Sequence, residues 1–490
     1  MKHSYLITGA LAVCLALQTG TSRAQTAASS PYVTVAGTVS PDRYACSLGL
    51  RADGTLWSWG VNQAGQLGYN TSGGLGAYPT PQQIITPATA TPGTVWTHFT
   101  IATNAVFALR SDGSLWAWGD IFGHGPTGAY GSLPRLISPP STAAPGTVWT
   151  QLSAGSRHML ALRSDHSLWT WGGPTYTANG INQYSNVPVP VPTPASAAPG
   201  TYWTHISAGD EYSMALRSDG TLWGWGNNYY GVLGVYQNQG AFKDLPPTQV
   251  PDPPTAAAGT TWTYVKAGNF LTAALRSDGS LWTWGGTNVY EPLKQIPIPS
   301  TAPASARWMA ITVGDDCYGA LLSDSTLWTW GGNSHGQLGI GVTTFQTNPI
   351  QEYRRSHWST VAMGNQFSLA IDSKGDIYGT GFNGLGALGD GTTQTNRLVF
   401  TRSLSPLLAA APPRTLPAPQ ASPNPAHDYL SVPGLAPTAT LRLHDAQGRL
   451  VREARPVAGR LDVRGLSPGL YLLTVQEPGQ ASRAARVVLE

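Results

Sequence analysis

The chain has 490 residues, of which 11% are charged, and its formal net charge is +3. It contains 57 glycines, 39 prolines and 18 tryptophans. The low charge and the abundant aromatic residues exclude a charged disordered chain, and the small cationic excess gives no reason to expect a nucleic-acid partner. The composition is typical of many short strands joined by tight turns.

The first residues have the pattern of a secretory signal peptide. A basic start at Lys2 precedes an apolar run, Tyr5 to Leu17, which is too short for a comfortable membrane span. Small residues at Ser22 and Ala24 fit a cleavage site, so we predict that residues 1–24 are removed. A membrane anchor is the alternative. No later stretch is long and apolar enough to span a bilayer, so we expect no membrane span in the mature chain.

One short sequence, Leu-Trp-x-Trp-Gly, recurs along most of the chain. Its copies end at Gly60, Gly119, Gly172, Gly226, Gly285, Gly331 and, in a decayed form, Gly381. Successive copies lie 46 to 59 residues apart. A repeat of this length is that of one propeller blade.

A hairpin signal stands before each copy. Arg51 to Gly54 is the first of several Arg-x-Asp-Gly segments, in which glycine supplies the positive φ that a tight turn needs. Three copies depart from this pattern, at Asp165-His166, Asp324-Ser325 and Lys374-Gly375. The histidine and the serine at these positions predict a strained backbone or a different turn.

Each repeat therefore contains four predicted strands. An Ala-Gly strand such as Trp149 to Gly155 comes first, and β-rich runs such as Gln82 to Thr86 indicate the last. Seven such units predict an all-β fold, a seven-bladed β-propeller of four-stranded blades, over residues 31–402. The paired tryptophans share one strand face, and we expect them to pack between adjacent blades.

The remaining cysteines of the mature chain are Cys46 and Cys317, since Cys14 lies in the predicted signal peptide. They occupy the same position in blades 1 and 6, two blades apart around a closed ring. Because this separation exceeds the reach of a disulfide, we expect both to stay unpaired. No Cys/His cluster has zinc spacing, and we expect no cofactor or metal.

The repeat resembles the regulator of chromosome condensation repeat. The likeness is carried by the order Ala-Gly, Ala-Leu-Arg-Ser-Asp-Gly, Leu-Trp-x-Trp-Gly and Gly-Gln-Leu-Gly, the last seen at Gly65 to Gly68 and Gly336 to Gly339. The family's histidine at the start of the second strand remains only as His158. The resemblance implies a seven-bladed propeller. Nucleotide exchange on a nuclear GTPase, known in eukaryotic members, does not suit a secreted chain, whereas secreted bacterial members include an inhibitor that clamps β-lactamases with one face.

The composition changes after Arg402. Residues 403–421 are rich in proline and alanine and indicate a linker, and residues 422–490 predict a small C-terminal β-sandwich. Pro423 to Pro425 and the Gly-Leu-Tyr strand at Gly469 resemble the type A C-terminal sorting domain of the type IX secretion system. An ordinary β-sandwich appendage is the alternative. The resemblance implies the type IX machinery as a partner and a secreted or cell-surface location.

The sequence contains no nucleophile elbow, no phosphate-binding loop with a lysine and no paired histidines, so we predict that the chain is not an enzyme. The leading hypothesis is a secreted or cell-surface binding propeller, monomeric, that recognises an extracellular protein through one face. The alternative is a carbohydrate-binding or adhesion protein, because tyrosines crowd the long loops. A hydrolase or lyase site at the propeller mouth is a third possibility. The tyrosines are Tyr69, Tyr78, Tyr130, Tyr176, Tyr229, Tyr230, Tyr236 and Tyr290.

The candidate binding surface consists of the short turns after the Ala-Gly strands, which repeat symmetry places on one face near the central axis. Their sequences vary although the hairpins repeat, and variation on a rigid scaffold suits recognition. Simple drift of exposed turns is the alternative. We expect Phe270 to anchor the partner and the tyrosine-rich loops to lie on the opposite side or the outer rim. The candidate residues are Arg43, Asn104, Arg157, Asp210, Glu211, Phe270, Asp315, Asp316 and Gln366.

Overall fold

The computed structural model describes residues 30–38, 45–69, 76–120, 130–176, 182–235, 244–286, 293–352, 357–404, 426–432, 439–445, 450–455, 460–476 and 483–490. These ranges contain strands and turns and no helix, and thus no helix that could cross a membrane. They belong to two compact units that divide between Ser405 and Pro406. The predicted signal peptide and most of the predicted linker lie outside the described residues.

The first unit contains seven four-stranded antiparallel sheets, and the strands of each sheet follow chain order. Blade 1 has β1 (Tyr32–Gly37), β2 (Cys46–Arg51), β3 (Leu56–Val61) and β4 (Ala77–Gln83). Blade 2 has β5 (Trp96–Ile101), β6 (Ala105–Arg110), β7 (Leu115–Asp120) and β8 (Tyr130–Ile137). Blade 3 has β9 (Trp149–Ala154), β10 (His158–Arg163), β11 (Leu168–Tyr176) and β12 (Asn182–Pro190).

The remaining blades repeat this arrangement. Blade 4 has β13 (Trp203–Ala208), β14 (Tyr212–Arg217), β15 (Leu222–Asn227) and β16 (Asp244–Gln249). Blade 5 has β17 (Trp262–Ala267), β18 (Leu271–Arg276), β19 (Leu281–Gly285) and β20 (Lys294–Ile296). Blade 6 has β21 (Trp308–Val313), β22 (Cys317–Leu322), β23 (Leu327–Gly331) and β24 (Gln346–Gln351). Blade 7 has β25 (Trp358–Met363), β26 (Phe367–Asp372), β27 (Ile377–Gly381) and β28 (Arg397–Arg402). The predicted all-β propeller is thus confirmed, with one repeat per blade.

The predicted fourth strand of blade 1 is wrong in its bounds. β4 spans Ala77–Gln83, because it pairs with β3 from Val61↔Ala77 to Trp57↔Gln83. Only the first two residues of the predicted run Gln82 to Thr86 belong to it. Pairing with the neighbouring strand therefore overrides local β propensity here.

The first strands of the blades lie innermost, around the central axis. Side-chain hydroxyls on these strands accept hydrogen bonds from backbone N–H groups of the first strand in the next blade, at 2.9–3.1 Å. The hydroxyls belong to Thr100, Ser153, Ser207 and Thr312. These bonds connect neighbouring blades directly at the centre of the ring.

The ring closes between blades 7 and 1 by non-covalent contacts, since each blade is one continuous stretch of chain. The Asn365 backbone N–H donates to the Thr38 carbonyl at 2.7 Å, and the Tyr32 N–H donates to the Gly375 carbonyl at 3.1 Å. The Trp59 indole N–H donates to a carbonyl of blade 7 at 2.7 Å. No strand is exchanged between the first and last blades.

The tryptophans of the Leu-Trp strands pack between blades, as predicted. The second tryptophan of each of the six complete copies is buried: Trp59, Trp118, Trp171, Trp225, Trp284 and Trp330. Three of them also donate an indole hydrogen bond to a loop carbonyl of the preceding blade in the ring, as Trp118 does to Gln66 at 2.9 Å. Apolar burial and polar contacts thus hold the same interfaces together.

The departures from the Asp-Gly hairpin keep the same backbone conformation. His166 has φ 63° and Ser325 has φ 65°, close to the φ of 75° at Gly54 in the regular turn. The His166 ring lies 4.0 Å from that of Tyr202 in the next blade. Of the two predicted outcomes, the structure shows the strained backbone and not a different turn.

The second unit is a small β-sandwich. Its strands are β29 (Tyr429–Ser431), β30 (Thr440–His444), β31 (Leu450–Ala454), β32 (Arg460–Asp462), β33 (Gly469–Gln476) and β34 (Arg483–Leu489). One sheet has the order β31-β30-β33-β34 and the other pairs β29 with β32. Leu430 and Leu461 of the small sheet share a buried core with Leu441 and Leu473 of the large one.

The two cysteines are free, as predicted, and both are completely buried. Burial raises the pKa of the Cys46 thiol to about 12. The Cys317 pKa is raised for the same reason, and the nearby carboxylates of Asp316 and Asp315 raise it further. Neither thiol is therefore poised as a nucleophile.

Candidate functional site

We call the surface formed by the turns between the first and second strands of the blades the inner-turn face. Most candidate residues directly precede a second strand: Asn104, Arg157, Glu211, Phe270, Asp316 and Gln366. In blades 2, 4, 6 and 7 the carbonyl of this residue accepts from the N–H of the last residue of the third strand or of the residue that follows it, at 2.8–3.0 Å. This repeated bond fixes the turns in one orientation. Arg43 lies outside the described residues.

Neighbouring turns among the described residues contact one another around the ring of blades. The Thr103 hydroxyl donates to the Ser156 carbonyl at 3.1 Å, and Asn269 Nδ2 donates to Asp315 Oδ1 at 2.7 Å. A Cβ added to Gly155 would lie 2.1 Å from the Gly209 carbonyl oxygen of the next blade, so only glycine fits there. The ring is therefore a rigid surface.

Acidic side chains concentrate in one part of this ring. Asp210 and Glu211 lie in the turn of blade 4, and Asp315 and Asp316 lie in the turn of blade 6; together we call them the acidic sector. Burial raises the Asp315 pKa; the Asn269 hydrogen bond opposes this, and the carboxylates of Asp316 and Asp210 add to it. The carboxylates are thus close enough to repel each other.

An aromatic cluster lies beside the acidic sector. The Phe270 ring is 4.7 Å from that of Tyr230, which is 4.5 Å from that of Tyr229. Tyr229 is 43% exposed, whereas Phe270 is half-buried. The more exposed aromatic ring of this cluster is therefore Tyr229, and Phe270 contacts the intervening Tyr230.

This contact corrects the expected position of the tyrosine-rich loops. Tyr229 and Tyr230 belong to the loop between the third and fourth strands of blade 4, yet Tyr230 packs on an inner turn. In the same loop Asn227 Nδ2 donates to Glu211 Oε2 at 3.1 Å. Because antiparallel strands bring the two kinds of loop to the same end of a blade, this long loop shares the inner-turn face.

Tyr69 and Tyr78 differ from Tyr229 and Tyr230 in their contacts. Their rings pack edge to face at 5.7 Å, and the Tyr69 hydroxyl exchanges hydrogen bonds with Ser58. Burial raises the Tyr69 pKa. These two tyrosines therefore support their loop and do not form a platform for a sugar. The side chains of Tyr130, Tyr176, Tyr236 and Tyr290 lie outside the described part of the chain.

A second polar group connects the first strands of blades 3, 4 and 5. Gln151 Nε2 donates to His205 Nδ1 at 3.0 Å, and His205 Nε2 donates to the Val265 carbonyl at 3.0 Å. Burial lowers the His205 pKa to about 4 and also lowers the Lys266 pKa. His205 is thus a neutral side chain that bridges three blades.

The described residues offer no group of three His, Cys, Asp or Glu side chains that could hold a metal ion. Asp315 and Asp316, the adjacent acids, contact different amides: Asp315 accepts from Asn269 at 2.7 Å and Asp316 from Gln337 at 3.4 Å. They are therefore not arranged as a paired acid and base.

The repeats match a known family. The Regulator of chromosome condensation (RCC1) repeat matches residues 53–109, 219–275 and 324–371, and a second form of it matches residues 149–177 and 203–232. The chain carries RCC1 repeats. The Secretion system C-terminal sorting domain matches residues 421–490. That domain indicates type IX secretion and export to the cell surface or the outside.

Related proteins share the repeats over different lengths. The ultraviolet-B receptor UVR8 of Arabidopsis thaliana is 29% identical over 249 residues, which cover 49% of this chain and 51% of the receptor. The E3 ubiquitin-protein ligase HERC2 of Homo sapiens is 26% identical over 379 residues, which cover 73% of this chain and 7% of the ligase. The chain thus spans about half the length of the receptor and a small part of the ligase.

Solved structures show the same fold. Prp20p from Saccharomyces cerevisiae, in a study of its binding to Gsp1p and histones, superposes with a TM-score of 0.60 at 19% identity, over 77% of this chain and 87% of that one. Human WBSCR16 superposes with a TM-score of 0.59 at 20% identity, over 71% and 88% of the two chains. At these identities the likeness concerns the fold alone.

One constant residue of the RCC1 repeats is absent from the motifs identified in the sequence. An asparagine stands three residues before the Gly-x-Leu-Gly segment in each of the four blades that carry it: Asn62, Asn228, Asn333 and Asn383. Its Oδ1 accepts from the backbone N–H of the leucine five residues later, at 2.9–3.2 Å. This bond holds the loop that carries Tyr229 and Tyr230, and the constant spacing was visible in the sequence.

Proposed function

We propose that this protein is a secreted or cell-surface, non-catalytic binding propeller that recognises an extracellular protein through its inner-turn face. The observation that supports this most directly is the exposed Tyr229 ring, held beside the acidic sector on a ring of fixed turns. An aromatic anchor next to oriented charges is the combination that dominates protein recognition surfaces.

The rigidity of the ring favours binding. Turns that are hydrogen-bonded to their neighbours, such as Asn269 to Asp315, lose little conformational freedom when a partner docks. Tyr229 lies against Tyr230, which lies against Phe270, so its ring is part of a packed aromatic cluster. More of the favourable free energy of the contacts therefore contributes to the binding free energy.

The charge of the ring suggests the chemistry of the partner. Four carboxylates lie in blades 4 and 6, and Arg157 is exposed in blade 3. A partner that places basic side chains over the acidic sector and an acidic one near Arg157 would match this pattern. An anionic polymer would be repelled by the four carboxylates of the acidic sector.

The C-terminal sorting domain and the predicted signal peptide are consistent with this role. The sorting domain implies handling by the type IX secretion machinery, and a signal peptide at residues 1–24 would start export across the inner membrane. The protein would then meet its partner outside the cell as a monomer.

The test is capture with the immobilised mature protein from the medium of the producing cells, followed by identification of the captured protein and measurement of its Kd. The double variant Arg157→Ala/Tyr229→Ala should bind at least tenfold more weakly, a loss of about 1.4 kcal/mol, with an unchanged melting temperature.

Tyr202→Ala is the matched control. Tyr202 is 44% exposed, as Tyr229 is, but it lies near the hairpins at the opposite end of the blade. Its loss should leave binding intact. Equal weakening by both variants, or undiminished binding by the double variant, would contradict the proposal. Binding to a glycan array in place of a protein would favour the carbohydrate-binding alternative.

A further inference from the structure

Four blades hold an arginine at the end of the second strand in the same way: Arg110, Arg163, Arg217 and Arg276. Each guanidinium lies 4.7–4.8 Å from a tryptophan ring centre of the first strand. Its Nε donates to the hydroxyl of a threonine two residues before that tryptophan, at 2.8–2.9 Å. Its Nη2 donates to the carbonyl of the same threonine.

The Nε–Nη2 edge of each of these guanidinium groups thus donates two hydrogen bonds to oxygen atoms of a single threonine. The threonines are Thr94, Thr147, Thr201 and Thr260. They lie in the segments that cross from the fourth strand of one blade to the first strand of the next. Each of these four crossing segments therefore provides acceptors for the Nε–Nη2 edge of one arginine.

Arg51 of blade 1 occupies the same position without this partner. It is 7% exposed and lies 4.6 Å from the Tyr32 ring centre and 4.2 Å from that of Trp57. Ser30 stands at the threonine position, but its hydroxyl accepts from the Asp53 N–H at 3.0 Å. Arg51 Nη2 reaches only the Tyr32 hydroxyl, at 3.3 Å, and its buried Nε has no acceptor among the described residues.

A cavity of about 40 Å³ opens beside Arg51, where blade 7 meets blade 1. Its lining includes Tyr32, Lys374 and Asp376. The Asp376 carboxylate is paired with Arg402 at 2.6 Å, and Arg51 and Lys374 are the cationic side chains of the lining. A cavity needs roughly 10–15 Å³ per water, so this one has room for a small polar group.

We propose that this cavity is a carboxylate-binding site. A carboxylate that enters the cavity pairs with the Arg51 guanidinium, which lacks the threonine hydroxyl and carbonyl that the arginines of the other four blades contact. Lys374 adds positive charge at the entrance. The bound group bridges blades 7 and 1 at the junction that closes the ring, so it stabilises the folded propeller. This inference is independent of the proposed partner on the inner-turn face.

The experiment titrates the mature full-length protein with sodium acetate at constant ionic strength, with chloride as the balancing anion. We expect a saturable rise in melting temperature and a saturable shift of the Arg51 Nε–H resonance. Arg51→Lys keeps the charge but cannot bind both oxygens, so the apparent acetate affinity should fall at least tenfold.

Arg110→Lys is the matched control, because the same edge of Arg110 is already occupied by Thr94. This change should lower the melting temperature and leave the acetate response intact. If Arg51→Lys does not fold, Lys374→Ala at the exposed entrance replaces it and should weaken acetate binding. The proposal would be overturned if acetate did not shift the Arg51 resonance of the wild type, or if the Arg51 variant kept the same acetate affinity. Saturable binding of inorganic phosphate in preference to acetate would also overturn it.

Discussion

At the scale of single residues, the buried tryptophans differ in what their indole N–H groups contact. Trp118 donates to the Gln66 carbonyl of blade 1 at 2.9 Å. Trp171, at the same position in blade 3, has an indole N–H with no acceptor among the described residues. Both rings are at most 2% exposed, so they differ in the hydrogen bond and not in burial.

We therefore expect Trp118→Phe to cost more stability than Trp171→Phe. Both changes remove similar apolar area, but the first also leaves the Gln66 carbonyl unpaired in a buried place, at a further cost of about 1–3 kcal/mol. Urea unfolding of the two variants measures the difference. Equal losses would mean that the hydrogen bond contributes nothing net.

His205 makes stability depend on pH. Its neutral ring donates to Val265 and accepts from Gln151, and burial lowers its pKa in the folded state to about 4, from 6.5 in the unfolded chain. Between these two values the unfolded state binds the additional proton, so stability falls as pH falls from about 6.5 to about 4.

The expected loss across this window is on the order of 2–3 kcal/mol. His205→Gln should lower stability at pH 7 but flatten the profile between pH 6.5 and 4, since no proton is then gained on unfolding. Denaturant unfolding at several pH values checks this. His98 is a second contributor in the same direction, because burial lowers its pKa too. If the stability of the His205 variant fell with the same slope between pH 6.5 and 4, another titrating group would be responsible for the pH dependence.

At the scale of elements, the hairpin between the second and third strands explains why glycine recurs there. Gly220 has φ 77°, and a Cβ at this residue would lie 2.5 Å from the Thr261 Cβ of the next blade. Glycine is thus required both for the turn and for the approach of the neighbouring blade. Ser325 adopts the positive φ that this turn requires, 65°, although a residue with a side chain disfavours that conformation.

Ser325→Gly should therefore stabilise the propeller by about 0.5–1 kcal/mol, because relief of the left-handed strain exceeds the added freedom of the unfolded chain. The reverse change, Gly220→Ser, should destabilise it by more, since it adds a clash to the strain. Thermal unfolding of both variants tests the pair. Destabilisation by Ser325→Gly would show that the serine side chain makes a contact of its own.

At the scale of the whole molecule, the chain consists of two units with separate cores. The core that contains Leu430, Leu441 and Leu473 is made only of residues after 425. The seven blades close their ring through contacts such as Asn365 to Thr38. Neither core includes residues of the other unit, so each unit has what it needs to fold alone.

We propose that residues 422–490 act as a separable export signal, and we expect their deletion to leave a folded propeller. The truncated protein should keep a cooperative thermal transition and accumulate in the periplasm. Fractionation of producing cells, with the full-length chain as control, checks this. Normal arrival of the truncated protein in the medium or at the surface would contradict the role in sorting.

The sequence alone determined the propeller, its seven blades and the place of the Leu-Trp strand in each repeat. These features depend on signals within about 50 residues: the Asp-Gly turn, the alternating tryptophans and the distance to the next copy. Even the equivalent positions of Cys46 and Cys317, and hence their separation, followed from counting along the repeat. Repetition multiplies a weak local signal seven times, which makes it reliable.

Only the tertiary structure decided which side chains meet between blades. Gln151 and His205 are 54 residues apart, and Tyr230 packs on Phe270 of the next blade. That contact put the tyrosine loop on the inner-turn face, and the structure alone showed that Arg51 Nε has no acceptor among the described residues. Contacts of this kind depend on the rotation from one blade to the next and on side-chain packing, for which no pattern of neighbouring residues in the sequence provides a signal.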